Sequence, residues 1–231
     1  MTAQPAAKTA PRGPYRKGIQ RRQEIVVAAS RVFAKYGYHG GSLRQIAGEV
    51  GISAATLVSH FEHKEGLLVA VLEHWKKEAA EIKAGTEGLD YFLRLPNLME
   101  YHVSNRGLIE LFLTMSAEAT YPEHPAWSFI QDHRTHTLET FSGHLIAARD
   151  AGQALPMTGD AIQDEIRGLI ALMDGLELQW LLDPRLDLVA VFTRLLQLLI
   201  NRWTGLTPDE VETLTAKNKP EKKQGDQRWN M

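Results

Sequence analysis

The chain has 231 residues, 44% of them hydrophobic, no cysteine and a formal net charge of −2 at pH 7. That length and apolar content can bury one or two cores without covalent staples, and the lack of cysteine excludes disulfides and thiolate metal sites and suits a reducing, cytoplasmic setting. No stretch approaches the roughly 18–20 apolar residues of a membrane span, and residues 1–15 lack the apolar centre of a secretory signal. Phosphate-cradling glycine loops, zincin histidine pairs and serine or cysteine nucleophile signatures are all missing, so no enzyme activity, cofactor or membrane partner is expected.

In chain order, residues 1–16 are rich in Ala, Pro and basic groups and read as a flexible arm. Ile25, Ala28, Ala29, Val32, Phe33 and Tyr36 then trace one helical stripe ended by Gly37, and Gly40-Gly41 reads as a turn. Residues 42–64, SLRQIAGEVGISAATLVSHFEHK, carry the sharpest pattern. Ser42 and Gln45 form a capping-box pair, Ile46, Ala47 and Val50 share one face, and Gly51 stands where a left-handed residue ends the helix. Ser53 can cap a second helix whose Leu57 and Phe61, four apart, point inward. Ala54, Ala55, Thr56, Val58, Ser59 and His60 are left on its outer and flanking faces, small enough to enter a major groove. The pattern suits a helix-turn-helix on DNA, and it also suits an ordinary helical hairpin.

Charge weighs on the first side. Residues 1–60 hold nine Lys and Arg against two acids, while the remaining 171 hold 17 against 26. A basic end on an acidic body is an electrostatic footprint for nucleic acid, the alternative being a solvated basic tail.

Segment 19–64 resembles the DNA-binding domain of the tetracycline-repressor (TetR) family. The resemblance rests on F-A-K-Y-G-Y (Phe33–Tyr38), S-L-R-Q-I-A (Ser42–Ala47), G-I-S (Gly51–Ser53) and T-L-V-S-H-F-E-H-K-E-G-L-L (Thr56–Leu68). Val58 departs from it, standing where family members usually carry a Tyr that touches the DNA backbone. His60 fits a position where Tyr or His is usual, and Lys64 fits the family lysine opening the fourth helix. Residues 172–184, LMDGLELQWLLDP, also look like the C-terminal domain of actinobacterial-type members.

Downstream, apolar periodicity predicts helices at about 65–82, 89–103, 107–120, 125–151, 160–182 and 187–204, with Pro96 kinking or dividing the second. Strand-like alternation is missing, so the class is all-α. The expected divisions are an arm (1–16), a helix-turn-helix domain (17–64), a helical ligand-binding and dimerisation domain (65–206) and a polar tail (207–231). Eleven of the fifteen residues from Leu186 to Ile200 are apolar, more than one buried stripe needs. This fits a central helix in a monomer or a helix shared with a partner. In the family resembled, the last two long helices form a four-helix dimer interface, which here places Ile166, Ile170, Trp180, Phe192, Leu195 and Leu199 between subunits.

The same resemblance implies an inducer cavity in the body, with Trp75, Phe92, Met115, Trp127, His133, His136, Phe141 and Met173 as lining candidates. Aromatics and methionines at helical spacing equally suit plain core, and His133 and His136 suit a solvated surface, a polar ligand contact or, with a third ligand, a metal. The expected protein is a homodimeric, cytoplasmic regulator of transcription that binds a palindromic operator and is released by a small organic effector. An activator or co-repressor-type regulator of the same fold is the alternative, and a metal sensor using His133 and His136 a further one. A helical binding protein or enzyme with an incidental helix-turn-helix is the competing class. Thr56, Ala54 and Ala55 would meet base edges, Arg44 a guanine or a phosphate, and Ser42, Ser59, His60 and Lys64 the backbone. Arg12, Arg16 and Lys17 would reach a flanking minor groove.

Overall fold

The computed structural model describes residues 14–217, with side chains from 17 to 215. Among these residues there is no strand, and the helices are α1 (Pro14–Gly40), α2 (Leu43–Val50), α3 (Ala54–Phe61), α4 (Lys64–Ile82), α5 (Leu89–Leu93), α6 (Leu95–Ser104), α7 (Arg106–Glu118), α8 (Trp127–Asp150), α9 (Gly159–Leu182), α10 (Leu188–Thr204) and α11 (Pro208–Lys217). Pro96 does divide its segment, standing at the start of α6, where its missing N–H costs nothing. Arg12, expected in the arm, lies outside the described residues, and Arg16 stands on the first turn of α1, which opens at Pro14.

The chain divides into two compact units between His74 and Trp75. The first is built on α1, whose Ile25, Ala29, Val32 and Phe33 are buried with Ile46 and Ala47 of α2, Leu57 and Phe61 of α3, and Leu67, Leu68 and Val71 of α4. Each of the larger of these side chains contributes about 1.5–3 kcal/mol on leaving water. The division falls inside α4 rather than at its start because the first half of α4 is tied to this unit. Lys64 lies over the Tyr38 ring, Tyr38 donates to Glu65 at 3.2 Å, and Gln23 Nε2 meets His74 Nδ1 at 3.3 Å. Two glycines make close approaches there. A Cβ on Gly41 would sit 2.9 Å from the Phe33 ring, and one on Gly66 would sit 2.5 Å from the Phe61 carbonyl oxygen.

In the second unit α9 buries Ile162, Ile166, Leu169, Leu176 and Trp180, and α10 buries Leu188, Phe192, Leu196, Ile200 and Trp203. Polar contacts fix their register. Trp203 Nε1 donates to Glu165 at 2.8 Å, and Arg106 donates to the Leu181 carbonyl at 2.6 Å with its guanidinium over the Trp180 ring. That puts a cation on the open carbonyls ending α9, where it is favoured.

Two expectations need correction. Ile166, Trp180 and Phe192 were placed between subunits, yet each lies in the core of its own chain, and Ile170 faces a cavity inside the unit. Both faces of these helices are apolar, so periodicity alone could not say which one turns inward. Of the six, Leu195 and Leu199 remain only partly buried. The segment read as a polar tail begins with an ordered helix, since Thr207 and Glu210 form a reciprocal cap and Val211 and Thr215 are buried.

Gly66→Ala pushes a methyl into backbone and is expected to cost about 1–3 kcal/mol, lowering the midpoint of a thermal melt by roughly 2–10 °C. Gly48→Ala, within α2, meets nothing within 4 Å. It should hold or raise the midpoint, because helical alanine is better than glycine by about 0.5–1 kcal/mol.

Candidate functional site

The first site is the outer surface of α2 and α3. Ser42 Oγ accepts from Gln45 N at 3.2 Å and Gln45 Oε1 accepts from Ser42 N at 2.9 Å, closing the capping box. Gly51 takes the left-handed conformation (φ 71°) and Ile52 N donates to the Ala47 carbonyl at 3.0 Å, which turns the chain sharply into α3. Ser53 Oγ accepts from Thr56 N at 3.0 Å and lies 2.8 Å from the Thr56 hydroxyl. With Leu57 and Phe61 fully buried, α3 can present only its other faces.

Ala55, Thr56, Val58 and Ser59 are exposed there, Ala54 and His60 are partly so, and Val58 keeps 38% of its surface in water. The Thr56 hydroxyl is therefore pre-set by Ser53, and Ser59 Oγ donates back to the Thr56 carbonyl at 2.7 Å. Arg44 and Lys17 are exposed. Lys64 holds its ammonium 4.5 Å from the Tyr38 ring centre, and partial burial draws its pKa below the usual lysine value, with Glu65 opposing. The chain leaves α3 through Glu62, at φ 61°, where His63 N donates to the Phe61 carbonyl at 2.6 Å. This is a tight γ-turn that strains a non-glycine residue.

The second site is a cavity of about 290 Å³ within the second unit, enclosed by α4, α5, α6, α7, α8 and α9. Trp75, His133, Phe141 and Met173 line it as expected, and His136, an exposed residue, also borders it. Three other candidates do not line it. Phe92 is buried edge-on against Trp203 and Phe141, Met115 is fully buried in α7, and Trp127 stands at the start of α8. Helical spacing marks all of these as inward-facing without saying which reach the void.

The cavity is polar at particular places. At one end Trp75 packs against Phe112, His133 and His102, with ring centres 5.0, 5.7 and 5.8 Å away. His102 Nδ1 lies 2.6 Å from Glu177 Oε1, a buried pair joining α6 to α9. Trp75 Nε1, His102 Nε2 and His133 Nδ1 are buried with no hydrogen-bond partner. Burial, with the nearby cations Lys76, Arg134 and Lys83 and His136, pushes His133 down to about 3, so its ring is neutral. Arg134 is hydrogen-bonded to Asp174, whose pKa burial raises against that attraction.

At the other end Lys83 lies 5.2 Å from the Tyr91 ring centre and 5.3 Å from that of Phe141, and burial lowers its pKa to about 8. Among the described residues no three His, Cys, Asp or Glu side chains are grouped to hold a metal ion.

Lys83, His102, Phe112 and Glu177 were not anticipated, though two of them left a trace. Glu177 falls four residues after Met173 and three before Trp180 on the buried stripe of α9, and His102 falls three after Met99 on α6. A charge or imidazole in phase with a buried stripe marks an internal polar site. Lys83 left none, because it follows the last turn of α4 and only the return of α5 and α8 encloses it.

A short capped helix pair exposing small side chains defines a helix-turn-helix, and the second unit of the same chain holds an internal cavity. Residues 25–71 match the family model for bacterial regulatory proteins of the tetR family. The HTH-type transcriptional repressor AcnR of Corynebacterium diphtheriae is 30% identical over 120 residues, 52% of this chain and 51% of that protein, so the match spans about half of the relative. Among solved structures, a transcriptional regulator from Saccharomonospora viridis in complex with choline superposes with TM-score 0.66 at 23% identity, over 79% of this chain and 96% of that one. The transcriptional regulator FadR from Bacillus subtilis in complex with stearoyl-CoA does so with TM-score 0.60 at 21% identity, over 78% and 98%. Residues 25–71 thus carry the DNA-binding segment of the tetR family, and the chain as a whole is similar in sequence and fold to transcriptional regulators of that kind.

Lys83 supplies a pH test. Its folded pKa of about 8 lies below the ordinary 10.5, so between those values the unfolded chain binds more protons and stability rises with pH. Lys83→Met should raise the melting midpoint at pH 7, where the burial cost is present in full. That gain over the parent chain should shrink as the pH climbs from 8 towards 10.5.

Proposed function

We propose that this chain is a homodimeric repressor of transcription, acting in the cytoplasm, that grips a palindromic operator through α2 and α3 and is released by a small organic effector held in the cavity of its second unit. The observation carrying this reading is α3 itself: capped, anchored by Leu57 and Phe61, and exposing Ala55, Thr56, Val58 and Ser59 outward. Thr56 and the Ala54 and Ala55 methyls meet base edges. Arg44 reaches a guanine or a phosphate, Ser42, Ser59, His60 and Lys64 hold the phosphate backbone, and Arg12, Arg16 and Lys17 enter a flanking minor groove. The AcnR resemblance favours repression. The choline and stearoyl-CoA complexes, of two proteins with this fold, favour a ligand in the body. An effector acts only through unequal affinity for two conformations, here one that engages both half-sites and one that does not.

For the dimer, the supporting face is the outer side of α9 and α10. Leu182 is 79% exposed, Leu198 62% and Leu178 51%, with Gly168, Ala171 and Gly175 continuing the α9 face towards its start. Partly buried Leu195 and Leu199 flank Leu198. Exposed leucines along two adjacent helices fit a second copy better than solvent.

The decisive experiment is binding of the purified chain to duplexes from its own upstream region, titrated with salt. A palindromic footprint and a steep loss of affinity with salt are expected, and salt-insensitive or absent binding refutes the reading. Within it, Thr56→Ala should relax preference at one position per half-site by about 1–3 kcal/mol. Lys64→Ala should weaken all sequences alike and lower the salt slope by about one per subunit. Leu178→Glu with Leu198→Glu changes only exposed positions, so sedimentation should show a folded monomer that no longer holds the palindrome. An unchanged dimer would move the interface elsewhere.

A further inference from the structure

The charges around the cavity do not cancel. Arg134 is paired with Asp174 and His102 with Glu177, while Lys76 and Lys83 have no acidic partner among the described residues. Whichever form His102 takes, the cations outnumber the acids. Both lysines are half-buried, and the Lys83 ammonium lies over the rings of Tyr91 and Phe141. An aromatic-walled cavity can attract a ligand cation through ring faces. Here the rings of Tyr91 and Phe141 are already covered by the chain's own ammonium.

The other end offers the opposite lack. Trp75 Nε1 can only donate, and His102 Nε2 and His133 Nδ1 are buried beside it without partners. An oxygen that accepts from the indole and, as a hydroxyl, can also donate to an imidazole nitrogen would satisfy several of these atoms at once. Trp75, Ala79 and Lys83 succeed one another at intervals of four residues, so the two ends are separated by roughly eight residues of helical rise, ~12 Å. The rest of the lining mixes apolar Ala79, Leu98, Ile170 and Met173 with Thr137, Thr140 and the Arg134–Asp174 pair.

We propose that the cavity takes an elongated organic monoanion, its carboxylate or sulfonate against Lys83 and a hydroxyl or carbonyl oxygen at the other end among Trp75, His102 and His133. This rests on the effector-gated reading above and names the chemistry of the effector. The low proton affinity of Lys83 fits, since an anion beside it restores the charge that burial disfavours.

The test is calorimetry on the full chain without DNA, using 4′-hydroxybiphenyl-4-carboxylate, the matching sulfonate, carboxamide and trimethylammonium compounds, and biphenyl-4-carboxylate lacking the hydroxyl. Both anions should bind at least ~30-fold more tightly than the carboxamide, as expected for a buried charge pair, and the trimethylammonium compound should bind least. Lys83→Met should erase that preference without lowering the melting midpoint, and Lys83→Arg should keep most of it. Trp75→Phe retains a ring and removes the donor, so it should cost the hydroxylated carboxylate about 3–10-fold and spare the unhydroxylated one.

Equal or better binding of the carboxamide or the trimethylammonium compound, binding by none of the set, or a preference that survives Lys83→Met overturns the proposal. The effector role is read separately, by release of an operator duplex. Anion binding without release refutes effector gating and upholds the ligand class. Release by the trimethylammonium compound upholds gating and refutes the class.

Discussion

Isolated helices shorter than about 12–15 residues are marginal in water, and the surface offered to DNA is carried by two helices of eight residues each. Their existence depends on what closes their ends and what they bury. Ser42 with Gln45 and Ser53 with Thr56 satisfy amides that would otherwise be orphaned, and Gly51 admits the left-handed turn between the helices. Leu57 and Phe61 are then buried within the first unit, which turns the remaining faces of α3 outward. The same cap that holds α3 also orients the Thr56 hydroxyl, so one contact serves both the stability of α3 and the base contact proposed for Thr56. The strained turn at Glu62 and the close approach at Gly66 complete the exit from α3 into α4.

The second unit solves a different problem, which is keeping polar groups inside a helical interior. Glu177 lies on the buried stripe of α9 and would be costly without a partner; His102 supplies one from α6 and so ties two helices at a fixed register. Arg134 and Asp174 do the same between α8 and α9. The groups left over are the informative ones, because a packed protein rarely leaves several polar atoms unmatched in one place. Trp75, His102 and His133 at one end and Lys83 at the other are unmatched around a shared void, and their types limit the chemistry that can complement them.

The helix-turn-helix was legible because its signals are local. Caps, a corner glycine and an i, i+4 pair are all contained within 42–64 and need no partner segment. The body was legible as helices and much less as a site. Phe92, Met115 and Phe141 have the same helical signature, yet Phe141 alone of the three borders the cavity, since the void depends on where α4 through α9 cross. Ile166 and Phe192 lie in the core, which periodicity does not show for a related reason: a helix apolar on two sides does not announce which side its own chain will use. Lys83 was invisible, as a lysine after a helix end ordinarily sits in water. Thr207 and Glu210 carry a capping box that signals α11 within an otherwise polar segment.

The composition of α3 has one more consequence. It contains no Arg, Lys, Asn or Gln, and its outward side chains are methyls, hydroxyls, one exposed valine and a histidine. On the docking proposed above, such a surface would discriminate bases in the major groove through the C5-methyl of thymine and its own hydroxyls. A 5-methylcytosine carries the same group at the same place, so on that docking methylation of a cytosine would act on α3 much as a change of base would.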